Sequence, residues 1–335
     1  MLVSVSNIAG ETIKIFLEDG ALISSLKAKI EDAWNVPPMC QLLTMGGHLL
    51  NDSEHLASHG DDSMPWCLTM ILSLEVVSNA LRSGDITERI HALDVFADLG
   101  FRGGDAAIAT VLACLDHDPE ELVRVASVRA LVKMAAKGDE RILTALRAHI
   151  LQSPHILEGG GAVMMEVLET LPKLAAKGDN LTINALLQNM WETEPGLLVA
   201  RINALAEVAM KGDQRIILQL GSFLKYPFRD EQEAAMHPIA KVAEKGDKRA
   251  IALVSAFINH ADEVMRMCSV QALAKVAATG DQRSIKAVCV RLKDKSSVVR
   301  KAAVQALATL GWKGDQRTIT DGRGKVAALS KQHLK

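Results

Sequence analysis

The string KGDQR stands at residues 211–215 and again at 313–317, with relatives KGDER at 137–141, KGDNL at 177–181, KGDKR at 245–249 and TGDQR at 279–283. Anchored on Gly103, Gly138, Gly178, Gly212, Gly246, Gly280 and Gly314, the steps are 35, 40, 34, 34, 34 and 34 residues. A fixed period of this size marks a solenoid of stacked helical hairpins. Before each glycine, apolar residues recur with helical spacing: Val128, Leu131 and Met134; Val270, Leu273 and Val276; Val304, Leu307 and Leu310. After it they recur again: Ile217, Leu220 and Leu224; Ile251, Val254 and Ile258; Ile285, Val288 and Leu292. Each run is one stripe on one helix, so each unit is helix A, a tight turn and helix B.

The polar string then reads as punctuation. Glycine supplies the left-handed conformation expected to end helix A. The aspartate after it (Asp139, Asp179, Asp213, Asp247, Asp281 and Asp315) is placed to accept from the free amides that start helix B. The arginine two residues on (Arg141, Arg215, Arg249, Arg283 and Arg317) lies in the first turn of B, within reach of an aspartate in a neighbouring repeat. The expectation is an Arg–Asp ladder between repeats. In the first unit, LGFRGGD puts Gly104 where the aspartate is expected.

Composition agrees with closely packed helices: 49% of residues are hydrophobic but only 3% aromatic, so the interior is built from Ala, Leu, Val, Ile and Met. No apolar run of 18 residues offers a membrane span, and the first residues lack the features of a leader peptide. The five cysteines (Cys40, Cys67, Cys114, Cys268 and Cys289) are scattered without a CxxC pair, which predicts free thiols in a reducing compartment, cytoplasmic or nuclear. Charge is uneven. Residues 1–75 carry 3 basic and 10 acidic residues, a net of −7, whereas 282–335 carry 13 basic and 3 acidic, a net of +10.

The first 75 residues follow a different grammar. MLVSVSNIAGETIKIFLE alternates like a hairpin around IAGET, and ISSLKAKIEDAW (23–34) has helical spacing, closed by the prolines at 37–38. QLLTMGGHLL (41–50) reads as strand–turn–strand and WCLTMILSL (66–74) as a last strand.

Two resemblances follow from these residues. KAKIED at 27–32, VPP at 36–38, Gln41, Leu43, Gly47, Leu50, Asp52 and Leu56 resemble the ubiquitin pattern without a gap, with one inserted residue near Met64. VRKAAVQALATLGWKGDQRTI (299–319), VRVASVRALVKMAAKGDERIL (123–143) and MRMCSVQALAKVAATGDQRSI (265–285) resemble HEAT repeats of the short, phycobilisome-lyase-like form. Arg89, Arg124, Arg266 and Arg300 fit that family's helix-A arginine, whereas Met164, Leu198 and Gln232 depart from it. Together they imply an α+β, β-grasp domain at 1–75 followed at 76–335 by an all-α superhelical solenoid of about seven repeats.

The resemblance also sets functional expectations. A terminal diglycine is absent where ubiquitin is conjugated, because LSLEVVSNALRSGD runs on into helix. Ubiquitin's receptor-binding patch corresponds here to Ile8, Thr44, Thr69 and Ile71. Its main chain-linkage lysine corresponds to His48, while Lys27 and Lys29 remain. The basic stretch with Lys286, Arg291, Lys293 and Lys295 is a candidate second surface. His149, His155 and Glu158 fall in an insertion, HILQSPHILEGGGAV (149–163), read as a loop rather than a metal site. The ten histidines include no His-Glu dipeptide, and no nucleotide cradle or nucleophile elbow appears. The expectation is therefore a non-enzymatic scaffold or adaptor without cofactor or metal. Its partners are proteins, including ubiquitin or proteasome components. The alternatives are a bilin-lyase-like or chaperone protein and a weak nucleic-acid binder; Trp312 is the only aromatic residue in the last repeat for base stacking.

Overall fold

The computed structural model describes residues 1–59, 66–152, 161–188, 190, 195–226 and 229–312. The chain forms two compact units, residues 1–149 with 156–174 and residues 150–155 with 175 onward.

The first unit opens with a five-stranded sheet: β1 (Leu2–Asn7), β2 (Thr12–Phe16), β3 (Gln41–Met45), β4 (His48–Leu49) and β5 (Trp66–Leu72). The order across the sheet is β2-β1-β5-β3-β4, with β1 and β5 parallel at the centre and the other pairs antiparallel. Helix α1 (Ile23–Trp34) sits on one face, burying Ile23, Leu26 and Ile30 with Val3, Val5, Leu43 and Leu68. Alternation along β5 sends Trp66, Leu68 and Met70 inward and Cys67, Thr69 and Ile71 outward. Helix α1 stops at Asn35, which takes a left-handed conformation (φ 52°), before the prolines thought to close it. A short polar side chain tolerates this conformation.

The rest of the first unit is helical: α2 (Glu75–Ala80), α3 (Ile86–Leu99), α4 (Gly104–His117), α5 (Glu121–Met134), α6 (Glu140–Gln152) and α7 (Gly161–Leu174). The second unit continues with α8 (Asn180–Leu187), α9 (Pro195–Val208), α10 (Gln214–Phe223), α11 (Arg229–Val242), α12 (Lys248–Ser255), α13 (Glu263–Val276), α14 (Gln282–Val290) and α15 (Ser297–Thr309). Odd-numbered members from α3 are helices A and even-numbered ones helices B. The stripes read from the sequence form the core: Val128, Leu131, Met134, Ile217, Leu220, Val270, Leu273, Val276 and Val288 are buried.

The turn motif works differently from the expectation in one respect. Helix A does not end at the glycine. It ends on an extended residue three positions earlier, Ala135 in one repeat and Ala277 in another. The glycine occupies the third place of the following β-turn, closed by Asp213 N–H to Met210 O (3.2 Å) and its equivalents. That place requires positive φ, and Gly138, Gly178, Gly212, Gly246 and Gly280 all lie at 80–86°.

The physical reason lies in the next repeat. The amide of each glycine donates to a carbonyl at the C-terminal end of the following helix A: Gly138 to Leu174, Gly178 to Val208, Gly212 to Val242, Gly246 to Val276 and Gly280 to Leu310, at 2.6–2.8 Å. Two of the preceding lysines add a cation at the same helix end. Lys177 donates to the Glu207 carbonyl, and Lys211 to the Lys241 carbonyl at 2.7 Å. The aspartates behave as expected, Asp213 accepting from the amides of Arg215 and Ile216 and Asp247 from those of Arg249 and Ala250. Lysine and glycine thus cap the neighbouring helix A, and aspartate caps its own helix B.

The first unit of the array also corrects the anchor. Gly103 has φ −64°, whereas Gly104 has φ 63° and Asp105 follows it. The left-handed glycine is Gly104, which sets the step to Gly138 at 34 residues. Gly314, Asp315 and Arg317 lie outside the described residues, as do His155, Glu158 and the inserted position near Met64.

Candidate protein-interaction surfaces

On the sheet module, cross-strand register decides which side chains share the face opposite α1. Thr44 pairs with Thr69 and with Leu49, and Leu42 with Ile71, so these five residues form one outer patch. Leu49 is 54% exposed and Ile71 37%, and Ile8 stands beyond the end of β1 at 79%. The Thr44 hydroxyl donates to the Thr69 carbonyl at 3.4 Å, so the hydroxyl at the centre of the patch has an internal partner. Sequence reasoning located Ile8, Thr44, Thr69 and Ile71 but missed Leu42 and Leu49. The alternation of β3 and its tight glycine turn carried that signal. His48 is exposed beside Leu49, on the opposite side of the short strand β4, and does not join the patch. The two retained lysines are occupied: Lys27 is buried in an ion pair with Asp52 (2.6 Å), and Lys29 donates to the Phe16 carbonyl.

The sheet module is joined to the first helices by direct contacts. Ser73 N–H donates to the Cys40 carbonyl at 2.9 Å, and Val77 of α2 is fully buried. At the end of α1, the Asn35 amide donates to the Asp98 carbonyl (3.3 Å) and Arg102 donates to the Asn35 carbonyl (3.1 Å).

The helix-A arginines serve packing. Arg89 donates to the Ser83 carbonyl and pairs with Asp118 (3.0 Å), while Arg124 donates to the carbonyls of Asp118 and Pro119. Arg266 repeats the pattern toward His260, Ala261 and Asp294. Arg300 donates to the carbonyls of Asp294 and Lys295. Gln232 departs in identity but keeps the role, donating to the Tyr226 carbonyl at 2.6 Å. The acidic partners Asp118 and Asp294 were missed, although each precedes the arginine of its own repeat by six residues.

This network alters the basic candidate surface. Arg291 is half-buried and paired with Asp294 at 3.1 Å, beside the bidentate Arg266, so its charge is spent internally. The Asp294 side chain is only 2% exposed; the Arg266 guanidinium holds its carboxyl below the usual carboxylate range. Lys286, Lys293 and Lys295 remain exposed.

The turn arginines are a second correction. Among the described residues, only Arg141 makes the expected bond to an aspartate of the preceding repeat, Asp105. Arg215 reaches Asn180 (3.2 Å) and Arg249 reaches Gln214 (3.3 Å), each one residue past an aspartate, Asp179 or Asp213, that caps its own helix B.

Between helices α12 and α14 lies a groove of about 790 Å³. Ile251, Ala252, Leu273 and Ala287 line it, with Lys248 and Arg283 contributing charge. Of the metal candidates, His149 meets Asp116 at 3.2 Å, and no group of three metal-ligating side chains occurs among the described residues. All five cysteines are free; burial pushes the Cys40 and Cys268 thiols up to about 11. No helix among the described residues is long and apolar enough to cross a membrane.

Comparison with known families agrees with both halves of this architecture. Residues 3–64 match the ubiquitin family, and residues 217–308 match HEAT repeats. The chain joins a ubiquitin-like domain to HEAT-like repeats. No curated protein matches it. Both domain types fit a protein-interaction scaffold.

Proposed function

We propose that the protein is a non-enzymatic adaptor of the cytoplasm or nucleus. The HEAT-like repeats bind one protein, and the ubiquitin-like domain docks a second, drawn from the ubiquitin or proteasome machinery. One observation carries the reading: two exposed surfaces of opposite chemistry, an apolar sheet face around Leu49 and Ile71 and a cationic face on helices B, stand on separate folds. The Asn35 contacts and the buried Val77 support a ubiquitin-like domain held against the first repeat instead of trailing on a tether. The hydroxyl of Thr44 sets the terms for the first surface. Burying an isoleucine there would contribute about 1.5–3 kcal/mol that threonine does not.

The test uses the full chain as bait in source-cell extract, with captured proteins quantified by mass spectrometry. Ile71→Ala with Leu49→Ala is expected to lose ubiquitin-pathway proteins selectively, and Thr44→Ile to enrich them. Capture unaffected by any of these changes would remove the ubiquitin-pathway half of the reading.

A further inference from the structure

Charge along the B helices of the second unit is concentrated in two neighbours. Helix α8 carries no charged side chain and α10 only Arg215, but α12 and α14 carry Lys248, Arg249, Arg283 and Lys286 with no acidic residue between them. Arg249 is engaged by Gln214. Lys248, Arg283 and Lys286 are exposed and make no ion pair among the described residues.

These cations flank the groove. Lys248 and Arg283 line it, and Lys286 follows Arg283 by one helical turn. The one aspartate in the lining, Asp281, is committed to its own helix, accepting from the amide and hydroxyl of Ser284. The surface formed by Ile251, Ala252, Leu273, Ala278 and Ala287 is aliphatic, and no aromatic residue lines the groove among the described residues. Stacking platforms for bases are therefore missing, whereas aliphatic side chains bearing neighbouring carboxylates find both partners they need.

We propose that the groove between α12 and α14 docks an acidic, leucine-bearing segment of a partner protein. Its carboxylates meet Lys248, Arg283 and Lys286, and its aliphatic side chains enter against Ile251, Ala252 and Ala287. This names the chemistry of the partner and rests on the reading of the repeats as a protein-binding surface.

The experiment measures fluorescence anisotropy of a labelled peptide alternating leucine with glutamate and aspartate, titrated with the full chain. A peptide of the same length with glutamine and asparagine, and a labelled oligo-thymidine, serve as comparison probes. The acidic peptide is expected to bind at least tenfold more tightly than its amide counterpart, with affinity falling as salt rises from about 50 to about 300 mM. Lys248→Glu with Arg283→Glu should weaken it at least tenfold, while Lys301→Glu, the same charge reversal on helix α15, should not. Circular dichroism melts confirm that each variant remains folded. Equal affinity for the amide peptide, no loss in the double variant, or displacement of the peptide by oligo-thymidine would each overturn the proposal. A photocrosslinker at Ser255, in the groove lining, separates the two readings. If the acidic peptide fails but the crosslinker still captures a discrete protein from extract, the protein-binding surface stands and its acidic chemistry falls. If both fail, both readings fall.

Discussion

In the ubiquitin-like domain, Val3 pairs with Trp66 across most of the module, and backbone groups are closed by strands brought together from distant parts of the chain. In the repeats, Gly178, Gly212, Gly246 and Gly280 each close a carbonyl thirty residues on, and the backbone amide of the turn glycine does it each time. The first arrangement leaves its outward side chains free, so Thr44, Leu49, Thr69 and Ile71 are available to a partner. The second consumes its most conspicuous polar residues in caps. Recurrence in the array therefore mostly marks structure: Lys248 and Lys286, which do not recur, and Arg283, a turn arginine with no ion pair among the described residues, are the ones left to bind.

The sharpest test of that division is the Arg266–Asp294 pair of the repeats, in which both side chains are buried. Asp294→Ala leaves Arg266 and Arg291 without their carboxylate and is expected to cost about 3–5 kcal/mol in urea unfolding. Removing Arg129, exposed in its pair with Glu166, should cost less than about 1 kcal/mol. The pH dependence has a defined sign. The folded-state pKa of Asp294 lies below its unfolded value, so its contribution is present at neutral pH. It is lost as pH falls from about 4 through the folded-state value. The stability gap between the wild type and Asp294→Asn should therefore narrow on acidification.

Next in size is Gly212→Ala. The left-handed backbone costs an alanine about 1–2 kcal/mol, and the added carbon would stand 3.0–3.2 Å from the Glu244 side chain of the next turn. Gly84→Ala, with open space around it, should change stability little. Asp213→Ala removes one cap of α10 at about 1 kcal/mol. Lys211→Met removes a cation from the end of α11 at about 0.3–1 kcal/mol. Were Gly212→Ala no more costly than Gly84→Ala, the turn would be a surface feature and the division between structural and binding residues would fail.

Much of this was legible in the sequence. The hairpin period, the apolar stripes and the helix-B caps all follow from local chemistry repeated at a fixed distance, and the strand alternation of the first domain follows from a period of two. What stayed hidden depends on contacts between neighbouring repeats. The string KGD shows a glycine that needs positive φ, but not that its amide serves the next helix. Arg291 reads as a surface cation because nothing in its neighbourhood announces that Asp294 is buried against Arg266. The anchor fell on Gly103 instead of Gly104 because two adjacent glycines look alike until their backbone angles are known.

The central claim, that the recurring turn is a cap for the neighbouring repeat, is tested most directly by amide hydrogen exchange at Gly178, Gly212, Gly246 and Gly280. The account predicts that these amides, though they sit in exposed or half-buried turns, exchange as slowly as the core amides of the following helix A. Exchange as fast as that of free turn amides would contradict it.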